Sequence, residues 1–156
     1  MEENGGKIRK RLYKDIPLAG ISLSEFERPG NDYFTNLRRF CISIGVISPG
    51  ESRVGIVHIL DVLLKARKGH PHGLDSYSIV KELYKTDVKI VYANILRDVR
   101  KLIEVGLVEK RDSKYRIKEN LNLNEILNSF IKPYIVDRIL KRVSEYAIKL
   151  DDQINK

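Results

Sequence analysis

"RKLIEVGLVEKRDSKYRIKE", residues 100–119, joins the end of a helical pattern to a short charged hairpin. Apolar residues before Gly106 recur every three or four positions, which predicts a helix. Gly106 is the residue type that most often follows a helix in a left-handed conformation. Leu107–Arg111 and Lys114–Lys118 then alternate around Asp112-Ser113, which predicts two antiparallel strands. The stretch therefore predicts a helix that runs directly into a two-stranded hairpin.

Three helices are predicted before this hairpin. The first covers about 53–67 with Ser52 as its cap, and the second is short and begins at Asp75 or Ser76. The third ends at Gly106 and has one apolar face, made of Tyr92, Ile95, Leu96, Val99, Leu102 and Ile103. Helix, short helix, longer helix and hairpin is the order of a winged helix-turn-helix domain, which we predict over residues 51–119.

Two segments resemble winged-helix transcription regulators of the MarR and PadR type. "ILRDVRKLIEVGLVEK" (95–110) is similar to the end of their recognition helix and the start of their wing, and "HG" followed by "IVKELY" is similar to PadR-type sequences. The resemblance covers roughly residues 53–118. It implies a mainly α fold with a small β-hairpin and DNA binding through the third helix and the wing. The preceding 52 residues depart from both families.

Segments on both sides of this domain have their own patterns. Residues 1–16 are predicted to be a flexible basic arm, although such a run can also be a solvated tail. Residues 17–50 are predicted to be an extension with one helix, capped by Asn31 or Asp32 and ending before Gly45. Residues 120–156 are predicted to be helical, with an interruption near Pro133.

The C-terminal segment carries an apolar seam with spacings of four, three, four, three and four residues. This is the a/d pattern of helices that pair with one another, and it predicts a homodimer interface at Val136, Leu140, Val143, Ala147, Leu150 and Ile154. The alternative is that the seam folds back on the N-terminal helix around Phe34, Leu37 and Phe40. Because a lone helix of this length is marginal in water, the seam must be buried in one of these ways.

Positive charge is concentrated in the predicted winged-helix region. The chain has a net charge of +8, and residues 53–118 hold 15 basic and 8 acidic side chains, so +7 of the total lies there. Such a concentration is typical of proteins that bind a polyanion. Alternatively, the excess lysine only keeps the protein soluble.

Basic and amide side chains are predicted on the outer face of the third helix and on the wing. If Tyr92, Ile95, Val99 and Leu102 face the core, the 100° step turns Ala93 and several polar residues toward solvent. Arginine, lysine and asparagine can contact base edges, and wing cations suit phosphates or the minor groove. The alternative is an ordinary solvated surface. The predicted DNA-binding residues are Lys89, Asn94, Arg97, Arg100, Lys101, Lys110, Arg111, Lys114 and Arg116.

Other chemistry finds little support in the sequence. His58, His70 and His72 have no acidic or cysteine partner at ligand spacing, so no metal site is predicted. There is no phosphate-binding glycine loop of the Walker type, and Cys41 lies among apolar residues. We therefore expect no enzymatic activity and no cofactor. With no apolar signal segment and a single cysteine, a cytoplasmic protein is expected, and its 19 Ile, single Gln153 and many charges resemble thermophile proteins.

The sequence thus predicts a sequence-specific double-stranded DNA-binding protein, a transcription regulator that acts as a homodimer. One alternative is a winged-helix subunit of a transcription, replication or ribosome-associated assembly, with a protein partner on the N-terminal extension. Another is RNA binding through the same basic face, because attraction to phosphates does not distinguish the two polymers.

Overall fold

The structure is a computed structural model that describes residues 15–52 and 54–156. Most of the predicted basic arm (1–16) therefore lies outside the described residues, as does Arg53. The fold is mainly helical, with one small antiparallel hairpin and a long C-terminal helix. In chain order its elements are α1 (Tyr33–Ser43), α2 (Gly55–Ala66), α3 (Ser76–Lys85), α4 (Tyr92–Glu104), β1 (Val108–Arg111), β2 (Lys114–Ile117), a 3-10 turn (Lys118–Asn120), α5 (Leu123–Ile126), a π-helical segment (Leu127–Val136) and α6 (Asp137–Ile154).

The core lies between α2, α3, α4 and the inner face of the hairpin. Its largest fully buried side chains include Leu60 of α2, Ile79 of α3, Leu102 of α4 and Ile117 of β2. Each helix contributes residues spaced three or four apart, because only that spacing keeps side chains on one helical face. The apolar positions predicted for α2, α3 and α4 supply most of this core. Tyr92 is an exception, since it is 45% exposed and does not lie in the core as expected.

The turn between α4 and β1 satisfies the last carbonyl groups of the helix. Gly106 has a φ of 91°, and its N–H donates to the Ile103 carbonyl. The Leu107 N–H donates to the Leu102 carbonyl, and both of these side chains are fully buried. This pair of hydrogen bonds with its apolar contact is a Schellman motif. It confirms that Gly106 ends the helix and directs the chain into the hairpin.

The hairpin has the predicted two-residue turn. Val108 pairs with Ile117 and Arg111 with Lys114, and the turn residues Asp112 and Ser113 both have positive φ, at 50° and 64°. This conformation matches the right-handed twist of the flanking strands. A third chain segment joins the sheet, because Leu74 and Tyr115 exchange backbone hydrogen bonds of 2.9 and 2.8 Å.

The N-terminal extension packs into the same core. Asp32 caps α1, as predicted, by accepting from the Thr35 N–H at 2.8 Å. Tyr33 donates to the Asp61 carboxylate of α2 at 2.6 Å, and burial, followed by this hydrogen bond, raises the pKa of Tyr33. Cys41 is fully buried, so α1 is tied to α2 by an apolar contact surface as well as by a polar bond.

The start of α2 differs from the prediction. Its cap position is Val54, with no side-chain cap, so the helix begins at Gly55 and not near 53 with Ser52 as cap. Gly55 lies close to α4, because a Cβ atom built there would lie 3.3 Å from Asp98 Oδ2. The carboxylate of Asp98 therefore lies at the N-terminal end of α2, where negative charge is favourable.

The C-terminal segment is a continuous helical path from Leu123 to Ile154. Pro133 lies inside the π-helical segment, so the helix is widened there and is not interrupted as the sequence suggested. Proline has no N–H and crowds the preceding turn of an α-helix, and local π-helical geometry accommodates such a residue. Among the described residues, no helix is both long enough and apolar enough to cross a membrane.

Replacing two glycines that have positive φ should lower the free energy of unfolding by different amounts, because only one of them lies against the sheet. A Cβ at Gly73 (φ 94°) would lie 2.5 Å from the Tyr115 carbonyl oxygen, whereas a Cβ at Gly50 (φ 77°) would have nothing within 4 Å. Gly50→Ala should cost about 1–2 kcal/mol from backbone strain alone. Gly73→Ala should cost more than about 3 kcal/mol, because it also breaks the Leu74–Tyr115 bridge. Urea unfolding of both variants measures this, and equal losses would mean that the bridge is not a constraint on the fold.

Candidate nucleic-acid interface

Helix α4 presents one face to the core and the opposite face to solvent. Ile95, Val99 and Leu102 are at most 1% exposed. With a step of about 100° per residue, the centre of the outer face is formed by Ala93, Arg97, Arg100 and Glu104. All four of these residues are exposed. The predicted cations Arg97 and Arg100 therefore lie in the middle of an accessible surface.

Glu104 adds a negative charge to this surface, and the sequence analysis did not predict it. It lies on the same helical row as Arg97 and Arg100 and is exposed. The outer face is thus basic along its first turns and carries an acid in its last turn. The same 100° step that placed the arginines on this face would have identified Glu104.

Lys101 and Asn94 lie at one edge of this face. Lys101 is exposed and lines a groove with Gly20–Ser22 and Gly45–Val46, so it faces the N-terminal extension. Asn94 is only partly exposed, and Lys89 is exposed in the segment that precedes α4. The predicted residues of this region therefore spread around one side of the helix and into the adjoining segment.

Asp98 lies beneath the same edge and interacts with Arg97, one of the predicted DNA-binding residues. Its side chain is 10% exposed, and its Oδ1 lies 3.6 Å from Arg97 Nε. Burial raises the pKa of Asp98, while the charges of Arg97 and Lys101 oppose this shift. Asp98 thus reduces the positive potential around Arg97 and Lys101, and its contact with Arg97 favours one orientation of that side chain.

The four predicted wing cations are divided between the two faces of the hairpin. Residues directly opposite each other in an antiparallel pair share a face, so Lys110 shares the inner face with Tyr115. Lys110 is exposed at its end, with Nζ 5.5 Å from the centre of the Tyr115 ring. The outer face carries Glu109, Arg111, Lys114 and Arg116.

Arg116 is held by contacts within the protein. Its Nε lies 2.6 Å from Glu109 Oε1, its Nη1 donates to the Pro71 carbonyl at 3.1 Å, and the side chain is 17% exposed. Burial disfavours the charged form of Glu109, but hydrogen bonds from the Glu119 N–H and from Arg116 outweigh it and lower the pKa of Glu109. By contrast, Arg111 and Lys114 are exposed beside the turn and make no ion pair within residues 15–52 and 54–156. With Lys110, which is exposed on the other face, they are the wing cations that remain available.

Two tyrosines near this surface were not among the predicted contacts. Tyr77 and Tyr92 lie in the first turns of α3 and α4, are 73% and 45% exposed, and have ring centres 6.1 Å apart. The Ser76 hydroxyl lies 2.8 Å from the Tyr92 hydroxyl. Exposed hydroxyl and aromatic groups can contact phosphates and bases. The sequence assigned Tyr92 to the core because of its spacing, although a first-turn position often lies at the rim of a core.

The C-terminal seam is accessible along α6. Leu140, Val143, Leu150 and Ile154 are 55–78% exposed, and no residue of α6 is buried. Because these seam residues are exposed, α1 does not cover the seam in the way the fold-back alternative required. The segment Ile16–Ala19 lies beside the start of α6 and lines a groove with Ile139, Val143 and Tyr146.

Side chains suited to metal binding do not cluster in the described part of the chain. No three His, Cys, Asp or Glu side chains cluster there in a way that could hold a metal ion. His58 contacts the Phe34 ring, with ring centres 5.1 Å apart. Burial raises the pKa of Cys41 to about 12, so its thiol stays protonated.

No protein-family model matches the chain, and no curated protein or solved structure is significantly similar to it.

Proposed function

We propose that the protein binds double-stranded DNA in a sequence-specific manner and regulates transcription as a homodimer. The domain that does this is a winged helix-turn-helix made of α2, α3, α4 and the β1–β2 hairpin, and α4 is the recognition helix. The observation that carries the proposal is the outer face of α4, where Arg97 and Arg100 are exposed next to the small Ala93. Such a helix can enter the major groove, with arginine contacting guanine and Ala93 permitting close approach.

The arrangement of the hairpin supports the same function. Arg111 and Lys114 flank its two-residue turn and are exposed, which suits contact with the DNA backbone beside the groove. Tyr77 and Ser76 add hydroxyl groups at the first turn of α3. Binding through α4 supplies sequence preference, while the hairpin and α3 set the orientation on the duplex.

The exposed seam of α6 supports homodimer formation. Val136 is half-buried, and the remaining seam residues are exposed at coiled-coil spacing along an 18-residue helix. A second copy of the helix would cover this face. Two recognition helices held by a two-fold axis contact two half-sites about one turn of DNA apart.

A second candidate is a protein-interaction subunit. It is favoured by the same exposed face of α6 and by the extension, whose α1 is tied to Asp61 by Tyr33. In that case the partner would cover α6, and duplex DNA would bind without sequence preference. If the basic face of α4 instead binds RNA, the protein should prefer RNA when RNA and duplex DNA compete for it directly.

Arg97→Ala tests the recognition helix. If Arg97 contacts a base pair in a bidentate manner, the variant should lose about 1–3 kcal/mol of binding free energy and lose preference at one position of the site. Arg138→Ala removes an exposed arginine on α6 and serves as the matched control. Fluorescence anisotropy on a bound site and on single-base variants measures both. Equal weakening on every sequence would reduce Arg97 to a phosphate contact, and no change would remove α4 from the interface.

Two arginines on the outer face of the hairpin should behave differently. Arg111→Ala should make the salt dependence of DNA binding shallower by about 0.9 in the slope of log K against log salt, the value for one phosphate contact. Arg116→Ala should leave that slope unchanged but lower the free energy of unfolding by about 1–3 kcal/mol, because Glu109 loses its partner. If both variants changed the slope equally, the ion pair seen for Arg116 would not restrict it.

The seam predicts the oligomeric state. Replacing Leu140 and Leu150 with Glu should give a folded monomer that binds its DNA site much more weakly, because two charges cannot be buried in an apolar seam. Replacing Arg138 and Lys149 with Glu changes exposed residues outside the seam and should leave the dimer intact. Sedimentation velocity distinguishes the species. A wild-type monomer at micromolar concentration would contradict the proposed dimer.

A further inference from the structure

The outer face of α3 carries a lysine between two tyrosines. Ile79 and Leu83 are at most 1% exposed and define the inner face, so the step of about 100° per residue places Lys81 at the centre of the opposite face. Tyr77 and Tyr84 lie on this outer face, one turn before and one turn after Lys81, and are 73% and 57% exposed. Their positions are about 10 Å apart along the helix axis. We call Tyr77, Lys81 and Tyr84 the aromatic–basic stripe.

A third tyrosine extends the aromatic–basic stripe at its N-terminal end. The ring centre of Tyr92, in the first turn of α4, lies 6.1 Å from that of Tyr77, and the two ring planes make an angle of 37°. The Ser76 hydroxyl lies 2.8 Å from the Tyr92 hydroxyl and restricts the orientation of this ring. Tyrosine is enriched at binding interfaces, because its ring has an apolar body and a polar tip. Two tyrosine rings that stay exposed side by side therefore indicate a contact surface.

The available charge on this face of α3 is positive. Lys81 is exposed and makes no ion pair within the part of the chain that the structure describes. The two acids of this helix and its cap have partners already, because Asp75 accepts from the Ser78 N–H at 2.7 Å and Glu82 lies 2.8 Å from Lys85 Nζ. A face that combines an accessible lysine with exposed aromatic rings suits a ligand that has both negative charges and flat rings.

We infer that the aromatic–basic stripe, extended by Tyr92, binds single-stranded DNA, with bases stacked on the tyrosine rings and the phosphate backbone beside Lys81. Every base has a flat face that can stack on tyrosine, so the site takes a strand with little sequence preference. Duplex DNA cannot make this contact, because its bases are stacked on one another and must first leave the stack. An acidic peptide could pair with Lys81 but offers no succession of flat rings to the tyrosines.

The choice of DNA over RNA rests on the proposed function. Tyr92 joins the aromatic–basic stripe to the first turn of α4, the proposed recognition helix, so a strand that leaves an opened duplex at α4 meets Tyr92 and Tyr77 first. Stacking on Tyr84 does not require that a duplex be bound. The two proposals can therefore fail separately.

A fluorescein-labelled thymidine dodecamer tests the site by fluorescence anisotropy in the absence of duplex. It should bind saturably and at least about tenfold more tightly than a dodecamer of abasic sites, which has the same phosphate charge but no bases. It should bind at least as tightly as a uridine dodecamer of RNA. Equal affinity for the abasic strand would mean attraction to phosphates alone, and tighter binding of the RNA would assign the stripe to RNA. Either result, or no saturable binding, would overturn the proposal.

Variants of Tyr84 locate the bound strand. Tyr84→Ala should weaken binding of the thymidine strand by about fivefold or more, whereas Tyr84→Phe keeps the ring and should change it by less than about twofold. Tyr134→Ala is the matched control, because Tyr134 is also exposed and its ring centre lies 6.4 Å from that of a second aromatic residue, Phe130. Equal losses in Tyr84→Ala and Tyr134→Ala would contradict the site.

Charge variants separate this site from the duplex face. Lys81→Gln should make the salt dependence shallower by about 0.7 in the slope of log K against log salt, the value for one phosphate of a single strand. An unchanged slope would contradict a backbone beside Lys81. Arg97→Ala should weaken the duplex and leave the thymidine strand unchanged, and Tyr84→Ala should do the reverse. If Arg97→Ala abolished binding of the thymidine strand, that strand would lie on α4 and the stripe would not be its site. If no duplex sequence is preferred while Tyr84→Ala still weakens the thymidine strand, the proposed function fails and this inference stands.

Discussion

The Schellman turn at Gly106 is the constraint on which the rest of the structure depends. Its two hydrogen bonds fix the direction in which the chain leaves α4, so β1 begins at once and Leu107 is buried beside Leu102. The hairpin then pairs with Leu74 from the segment between α2 and α3. In this way one glycine holds α4, the hairpin and the start of α3 in a fixed relation, which places the outer face of α4 and the hairpin turn on one domain.

Local structure, more than net charge, determines which basic side chains of this domain are accessible. Arg116 is bound to Glu109 and is mostly buried, while Arg97, Arg100, Arg111 and Lys114 are exposed, with Asp98 reducing the positive potential near Arg97. A count of cations in the sequence treats these residues as equal. The geometry divides them into those that stabilise the fold and those that a polyanion can reach.

Much of the fold could be predicted from the sequence because its signals are local. Asp32, Asp75 and Gly106 mark helix ends through hydrogen bonds within a few residues, and the Asp112-Ser113 turn fixes the strand register. That register also places Glu109 opposite Arg116, so their ion pair could have been found. The contacts of Tyr33 with Asp61 and of Arg67 with Leu121 could not, because they join segments 28 and 54 residues apart. The prediction of Ser52 as the cap of α2 was wrong for a related reason. The acid beside the start of α2 is Asp98, which comes from α4 and is distant in sequence.

Selection of bound sequences from random duplex DNA tests the central claim most directly, because it measures sequence preference and symmetry together. The account predicts enrichment of an inverted repeat, with half-sites separated by about one helical turn, as two recognition helices related by a two-fold axis require. Recovery of an unenriched pool would contradict it, and α6 and the extension would then be better explained as surfaces for a protein partner.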